Sequence, residues 1–195
     1  LTQDDVGELI SVLASYTDNG GVTESVFSSR STAIQNVNDA PGTLYLNNGS
    51  SNLSADEDVN QNVTLTANIT QSIDEDGFDA STLSYQWYQG SEAISGATNA
   101  SYTVPQDNVS TSGDLKVVVS YVDNFNNAET VTSLLTGAVI DIDDDPVGSV
   151  SIIGEAKESK LLTVDATSLS DVDGLGTLSY QWYRGSTAIS GDTET

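Results

Sequence analysis

Leu83-Ser84-Tyr85-Gln86-Trp87-Tyr88 returns as Leu178-Ser179-Tyr180-Gln181-Trp182-Tyr183. Gly-Ser and then Ala-Ile-Ser-Gly follow both copies, over Gly90 to Gly96 and Gly185 to Gly191. A second echo links Ser15-Tyr16-Thr17-Asp18-Asn19 to Ser120-Tyr121-Val122-Asp123-Asn124. At the same spacing Asn38-Asp39-Ala40-Pro41 returns as Asp143-Asp144-Asp145-Pro146. Matches this long and this ordered define an internal repeat of about 95–105 residues, the size of one small domain. Residues 1–38 match the last third of a unit, 41–145 form a complete unit, and 146–195 match the first half of another. Thr195 aligns with Ala100 and Leu1 with Val104, so the chain is expected to be a piece close to two units long, cut inside a strand.

The unit reads as β-structure. Val63-Thr64-Leu65-Thr66-Ala67 and Leu115-Lys116-Val117-Val118-Val119 alternate with period two, and Leu161 to Asp165 does so approximately. Turn signals separate these runs at Asn47-Asn48-Gly49, Asp76-Gly77, Gly90-Ser91, Asp123-Asn124 and Asp173-Gly174. No segment sustains a helical period. The expected strands of the complete unit are A near 43–47, B 62–69, C 82–89, C′ near 92–95, E near 100–104, F 114–122 and G 128–140. Seven short strands in about a hundred residues predict an antiparallel β-sandwich. Trp87 on strand C is a core residue in this reading, and Tyr121 near the end of strand F is packing.

Composition narrows the function classes. The 195 residues carry 29 acidic and 5 basic side chains, a formal net charge of −24, which argues against nucleic acid and anionic membrane as partners. The chain contains no Cys, Met or His, which removes disulfides, thiolate zinc sites and Cys- or His-based catalysis. No apolar run reaches the roughly 18 residues of a membrane span, and no signal peptide is visible. At 37% hydrophobic residues with regular β-branched runs, the chain is expected to fold rather than remain an acidic coil.

The acids cluster where a tandem sandwich array places its junctions. Strand G of one unit ends beside its AB and EF loops and meets the BC and FG loops of the next. Around the second linker this gathers Asp56, Glu57 and Asp58 from the AB loop, Asp107 from the EF loop, Asp141, Asp143, Asp144 and Asp145 from the linker, and Asp171 and Asp173 from the following BC loop. Around the first linker it gathers Asp4, Asp5, Asn36, Asn38 and Asp39 with Asp74, Asp76 and Asp79. Carboxylates packed this closely repel by several kcal/mol unless neutralised. A hard cation with six to eight oxygen ligands resolves the conflict, and calcium suits an oxygen-only site. A solvated acidic surface is the alternative. The loops are not EF-hands, since Asp74-Glu75-Asp76-Gly77 and Asp171-Val172-Asp173-Gly174 lack the twelve-residue spacing and the closing Glu.

Asn36-Val37-Asn38-Asp39-Ala40-Pro41 resembles the linker of cadherin-type repeats, and the segment from Tyr85 to Ser112-Gly113-Asp114 resembles the C-to-F part of immunoglobulin-like domains without their cysteine pair. The unit as a whole is similar to the tandem immunoglobulin-like and cadherin-like repeats of large RTX-type bacterial surface adhesins. That resemblance covers essentially the whole chain. It implies an extracellular array on a bacterial cell surface, stiffened at its linkers by Ca2+ and holding a distal adhesion domain away from the cell, as in biofilm attachment. It implies Asn38 and Asp39 as ligands at the first linker and Asp143 and Asp144 at the second. Asp145 departs from the pattern, standing where the first linker has Ala40.

Two other function classes are open to such a chain. A sugar- or protein-binding module would use Tyr45, Tyr88, Phe125 or Tyr183 as stacking surfaces, although repeated aromatics are also what a repeated core requires. A glycosidase needs two carboxylates opposed across a cleft, whereas these acids sit in end loops. Serine has neither a histidine nor a Gly-x-Ser-x-Gly turn to activate it. The chain is therefore expected not to be an enzyme. The triplets at Asn62 and Asn68 are assigned no role. Neighbouring repeats are the expected partners, and the incomplete ends, which leave strand edges open, are expected to complement each other head to tail between copies.

Overall fold

Period-two alternation becomes strand throughout. The computed structural model describes residues 1–109 and 114–191, so Ser112, Gly113 and Thr195 lie outside the described residues. Fifteen strands follow in order: β1 (Leu13–Thr17), β2 (Thr23–Phe27), β3 (Tyr45–Asn47), β4 (Val59–Asn60), β5 (Thr64–Asn68), β6 (Ser84–Gln89), β7 (Glu92–Ala93), β8 (Ser101–Thr103), β9 (Leu115–Val122), β10 (Ala128–Thr132), β11 (Val139–Ile140), β12 (Ser151–Gly154), β13 (Leu162–Asp165), β14 (Tyr183–Arg184) and β15 (Thr187–Ala188). Only short 3-10 turns interrupt them, and no α-helix occurs among the described residues. The protein is all-β, with several antiparallel sheets.

Two sheets carry the centre. One has the order β10-β9-β6-β7 and the other β3-β5-β8, with every neighbouring pair antiparallel. Strand β9 alternates buried and half-buried along its whole length, as Leu115, Val117, Val119 and Tyr121 turn inward. Leu46 on β3, Leu65 and Ala67 on β5 and Trp87 on β6 join them in one buried cluster drawn from both sheets, an arrangement compatible with a β-sandwich. Burying each such Val or Leu contributes about 1.5–3 kcal/mol. Trp87 is fully buried, as its place in the alternation requires. Its ring stacks on Tyr102 of the other sheet at 5.4 Å, and its Nε1–H donates to the Asn99 carbonyl at 2.9 Å. Among the described residues every buried hydrophobic side chain lies between Leu44 and Val131, whereas β1 and β2 are exposed along their entire length.

The expected strand G over 128–140 is broken in two. β10 pairs with β9, and β11 pairs in parallel with β4 at the edge. The cause lies in two hydroxyl residues. Ser133 Oγ accepts from the Val117 amide and Thr136 Oγ1 from the Leu115 amide, while the Ser133 and Thr136 amides donate to the Val117 and Leu115 carbonyls. Three steps along 133–136 thus face two along 115–117, a β-bulge that redirects the strand. Gly137 follows, its amide on the Glu57 carbonyl at 2.7 Å. A Cβ at Gly137 would lie 2.6 Å from the Asp56 carbonyl and collide with the Asp58 carboxylate. Gly137→Ala is expected to cost about 1–3 kcal/mol in urea unfolding.

Repeated sequence takes repeated local pairing. β1 pairs with β2 (Leu13↔Phe27, Tyr16↔Glu24) as β9 pairs with β10 (Val118↔Thr132, Tyr121↔Glu129). β14 pairs with β15 as β6 pairs with β7, with Tyr183↔Ala188 matching Tyr88↔Ala93. β12 pairs with β13 as β3 pairs with β5, with Ile152↔Val164 matching Leu46↔Ala67.

Candidate functional site

The Asp-x-Asp-Gly loop folds through its first carboxylate. Asp74 Oδ1 accepts the Asp76 amide at 2.9 Å while its carbonyl accepts the Gly77 amide at 3.0 Å, and Gly77 adopts φ 65°, where glycine is favoured. Both acids are buried, Asp74 at 3% exposure and Asp76 at 4%. The Tyr121 hydroxyl donates to Asp74 Oδ2 at 2.8 Å, and the linker's Asp39 amide donates to Asp76 Oδ2 at 3.3 Å. Asp76 Oδ1 is buried with no hydrogen-bond partner, and so is Asn36 Oδ1. Asn38 turns aside, its Nδ2 donating to Glu129 Oε1 at 2.6 Å.

The second linker repeats the contact. Asp171 Oδ1 accepts the Asp173 amide at 2.9 Å, the Gly174 amide donates to the Asp171 carbonyl at 3.2 Å, and the Asp144 amide donates to Asp173 Oδ2 at 2.9 Å. Two glutamines enclose it. Gln61, buried, donates from Nε2 to Asp144 Oδ2 at 2.7 Å and accepts the Ile142 amide at 3.2 Å. Gln106 Nε2 donates to Asp173 Oδ1 at 3.2 Å, and Gln106 Oε1 is buried without a partner. Asp171 is half-buried and Asp173 exposed, in contrast to the buried Asp74 and Asp76.

The structure thus brings together Asp39, Asp74 and Asp76 at one linker and Asp144, Asp171 and Asp173 at the other. The remaining candidates stand elsewhere. Asp58 Oδ1 accepts the Ala138 amide at 2.8 Å, and the Asp56 amide donates to the Leu135 carbonyl, so these two residues fasten the loop to the bulged strand. Asp107 is exposed, and its charge helps to raise the Tyr102 hydroxyl, which burial raises first. Asp143 and Asp145 are exposed on either side of Asp144. Among the described residues no group of three or more Asp or Glu side chains is arranged to hold a metal ion. A calcium shell here would therefore also draw on amide and backbone carbonyl oxygens, as calcium shells do. The oxygen-only donors, the two buried carboxylates and the unpartnered Asp76 Oδ1 and Asn36 Oδ1 fit that chemistry.

Tyr121, Gln61 and Gln106 were not legible as site residues. The echo of Tyr16 in Tyr121 carried a signal, as did the echo of Gln3 in Gln106, but an echo does not distinguish a packed ring from one whose hydroxyl is engaged. Asp123 recurs as Asp18, and each closes its hairpin by accepting amides two and four residues on. Of the aromatics that could serve as stacking surfaces, Tyr45, Phe125 and Tyr183 are exposed, and Tyr88 lies under the Lys116 ammonium at 5.7 Å.

Hydrogen bonds set the titration of the surrounding acids. Burial works to raise Asp123, but the Asn127 side chain and the Asn127 and Phe125 amides outweigh it and hold the carboxyl low. The Ser81 hydroxyl and amide lower Asp79, the Thr167 hydroxyl and amide lower Asp165, and the Ser54 amide and hydroxyl lower Glu57. Burial first, and then the bond to Asp74, pushes the Tyr121 hydroxyl far above its ordinary value. A lowered carboxylate stabilises fully above its unfolded pKa of about 4 and loses that contribution as pH falls through its folded value. A raised tyrosine stabilises fully below about pH 10 and loses that contribution as pH rises further. In chelator, calorimetry is expected to give a flat melting temperature between roughly pH 5 and pH 9.5, falling on both sides. Tyr121→Phe should remove most of the alkaline fall.

No protein-family model matches the chain, and no curated protein or solved structure matches it either.

Proposed function

We propose that this protein is a calcium-stiffened extender segment of a bacterial surface adhesin, built of tandem immunoglobulin-like and cadherin-like sandwich units. One observation carries the reading. At both linkers the backbone amide of an aspartate, Asp39 or Asp144, is seated on the closing aspartate of an Asp-x-Asp-Gly loop, Asp76 or Asp173. In both copies the linker backbone is thereby hydrogen-bonded to the loop that follows it.

Asp39, Asp74 and Asp76 at one linker and Asp144, Asp171 and Asp173 at the other would hold Ca2+, which would supply positive charge to offset these carboxylates. The chain's own residues prepare that role. Asp76 Oδ1 and Asn36 Oδ1 present unpaired oxygens, the Tyr121 hydroxyl fixes Asp74, and Gln61 fixes Asp144. Fixing a linker residue costs about 1–2 kcal/mol of backbone entropy, so a tethered joint keeps adjacent units aligned where a free one would swivel. The role is mechanical and extracellular, spacing a distal binding domain from the cell, with no catalysis. Thermal melts in calcium, in magnesium and in chelator at matched ionic strength test it. A calcium-selective rise in melting temperature supports the tethered joint, and a rise that any salt reproduces reduces the acids to a solvated surface.

A further inference from the structure

The hairpin tip at Asp18-Asn19-Gly20 and its repeat at Asp123-Asn124-Phe125 fold alike around one carboxylate. Asp18 Oδ1 accepts the Gly20 amide at 2.9 Å and the Val22 amide at 2.8 Å. Asp123 Oδ1 accepts the Phe125 amide at 2.8 Å and the Asn127 amide at 2.7 Å. The left-handed position is the next one in each tip, Gly21 at φ 82° and Asn126 at φ 68°. Gly20 lies outside that region, and phenylalanine fills its place in the repeat, so the turn does not require glycine there.

What glycine changes is access to its own nitrogen. A Cβ at Gly20 would lie 3.2 Å from Asp18 Oδ1, tighter than ordinary contact, and its absence leaves the nitrogen open on the side of its bond to Asp18. Asn19 is exposed. Asn124 is exposed too, although the Asp-x-Asp-Gly loop bridges to its tip through Phe78 and Asp123, so the exposure belongs to the tip itself. The chain's other Asn-Gly pair, Asn48-Gly49, is held differently. Asn48 is half-buried, and its Oδ1 accepts the Ser50 and Ser51 amides at 3.0 Å, which pins the side chain. The Gly49 amide donates to Asn47 Oδ1 at 2.8 Å, a neutral amide oxygen that is no base.

We propose that Asn19 is a self-modification site, converted to aspartate and its β-linked isomer by attack of the Gly20 nitrogen. The Gly20 nitrogen bonds to Asn19 Cγ as its proton passes to the Asp18 carboxylate. The Cγ–Nδ2 bond then breaks, and ammonia leaves with that proton. Water opens the resulting five-membered imide at either carbonyl. One water enters, one ammonia departs, and no oxidant or reductant takes part. The turn holds nucleophile and base together, and that proximity is its contribution to the rate. The product carries one further carboxylate beside Asp18, at the end of the hairpin whose repeat abuts the Asp-x-Asp-Gly loop. No metal is involved, and the proposal stands apart from the calcium reading.

The repeat supplies its own control. The folded protein is held in warm neutral buffer, and its peptic peptides are followed by mass spectrometry. Conversion adds about 1 Da and splits the peptide into two isomers. Asn19 should convert about tenfold faster than Asn48, and Asn124 should be the slowest of the three. In urea, Asn19 and Asn48, both followed by glycine, should converge. Asp18→Asn keeps an acceptor for the Gly20 and Val22 amides but cannot take a proton, so it should slow Asn19 about tenfold in the folded protein and leave the rate in urea unchanged. Phe125→Gly, which leaves Asp18 untouched, should bring Asn124 to within roughly threefold of Asn19. Conversion at Asn19 no faster than at Asn48, an Asp18→Asn rate equal to the parent's, or a Phe125→Gly variant whose Asn124 stays intact would each overturn the proposal.

Discussion

Trp87→Ala lowers the stability of the central core by about 3–5 kcal/mol, the range for emptying a buried aromatic site. Two losses combine. The cavity opens where the two sheets meet, against Tyr102, and the Asn99 carbonyl loses the Nε1–H that satisfied it. For a unit of about a hundred residues this lowers the melting temperature by roughly 12–30 °C. Trp182 occupies the matching position in the repeated sequence but is only half-buried, so Trp182→Ala in monomeric protein is expected to cost less than a third as much. Near-UV circular dichroism during urea unfolding separates the two. Equal losses for both tryptophans would contradict the assignment of the core to residues 44–131.

The elements legible in the sequence were those decided by local chemistry. The alternation of Leu115, Val117, Val119 and Tyr121 needs only a pleat with one dry face, and β9 has it. The Asp-x-Asp-Gly turn follows from a side chain that bonds the backbone two residues on, and both copies form it. The break in strand G was hidden because Ser133 and Thr136 look like ordinary strand residues. Only their position opposite the Val117 and Leu115 amides lets their hydroxyls capture those donors. Half of the candidate site was legible for the same reason, since Asp39, Asp74, Asp76, Asp144, Asp171 and Asp173 are fixed by motif and linker. Asp56 and Asp58 were assigned by the loop they occupy, but which neighbour a loop carboxylate faces is decided by the bulge and Gly137 across from it. The burial of Asp74 depends on Tyr121, a contact across 47 positions that no local pattern encodes.

Asp76→Asn is the sharpest probe of the proposed calcium joint, because the expected sign of its effect reverses with the metal. Asp76 holds a buried carboxylate whose Oδ1 has no donor, so in chelator the folded state carries an uncompensated acceptor and a charge close to Asp74. The isosteric amide removes the charge and retains an oxygen for the Asp39 amide. In chelator the variant should melt at or above the parent. In calcium the order should invert. A ligand at a hundred times its dissociation constant adds about 2.7 kcal/mol to the state that binds it, or roughly 10–20 °C for a domain of this size. The parent should gain that shift, and the variant, having lost a hard anionic oxygen, should gain little of it. Magnesium, which demands a tighter octahedron and keeps its waters, should move neither protein far. A purely structural Asp76, serving only to accept the linker amide, would give the same difference between parent and variant in calcium and in chelator, and the calcium joint would then have to be abandoned.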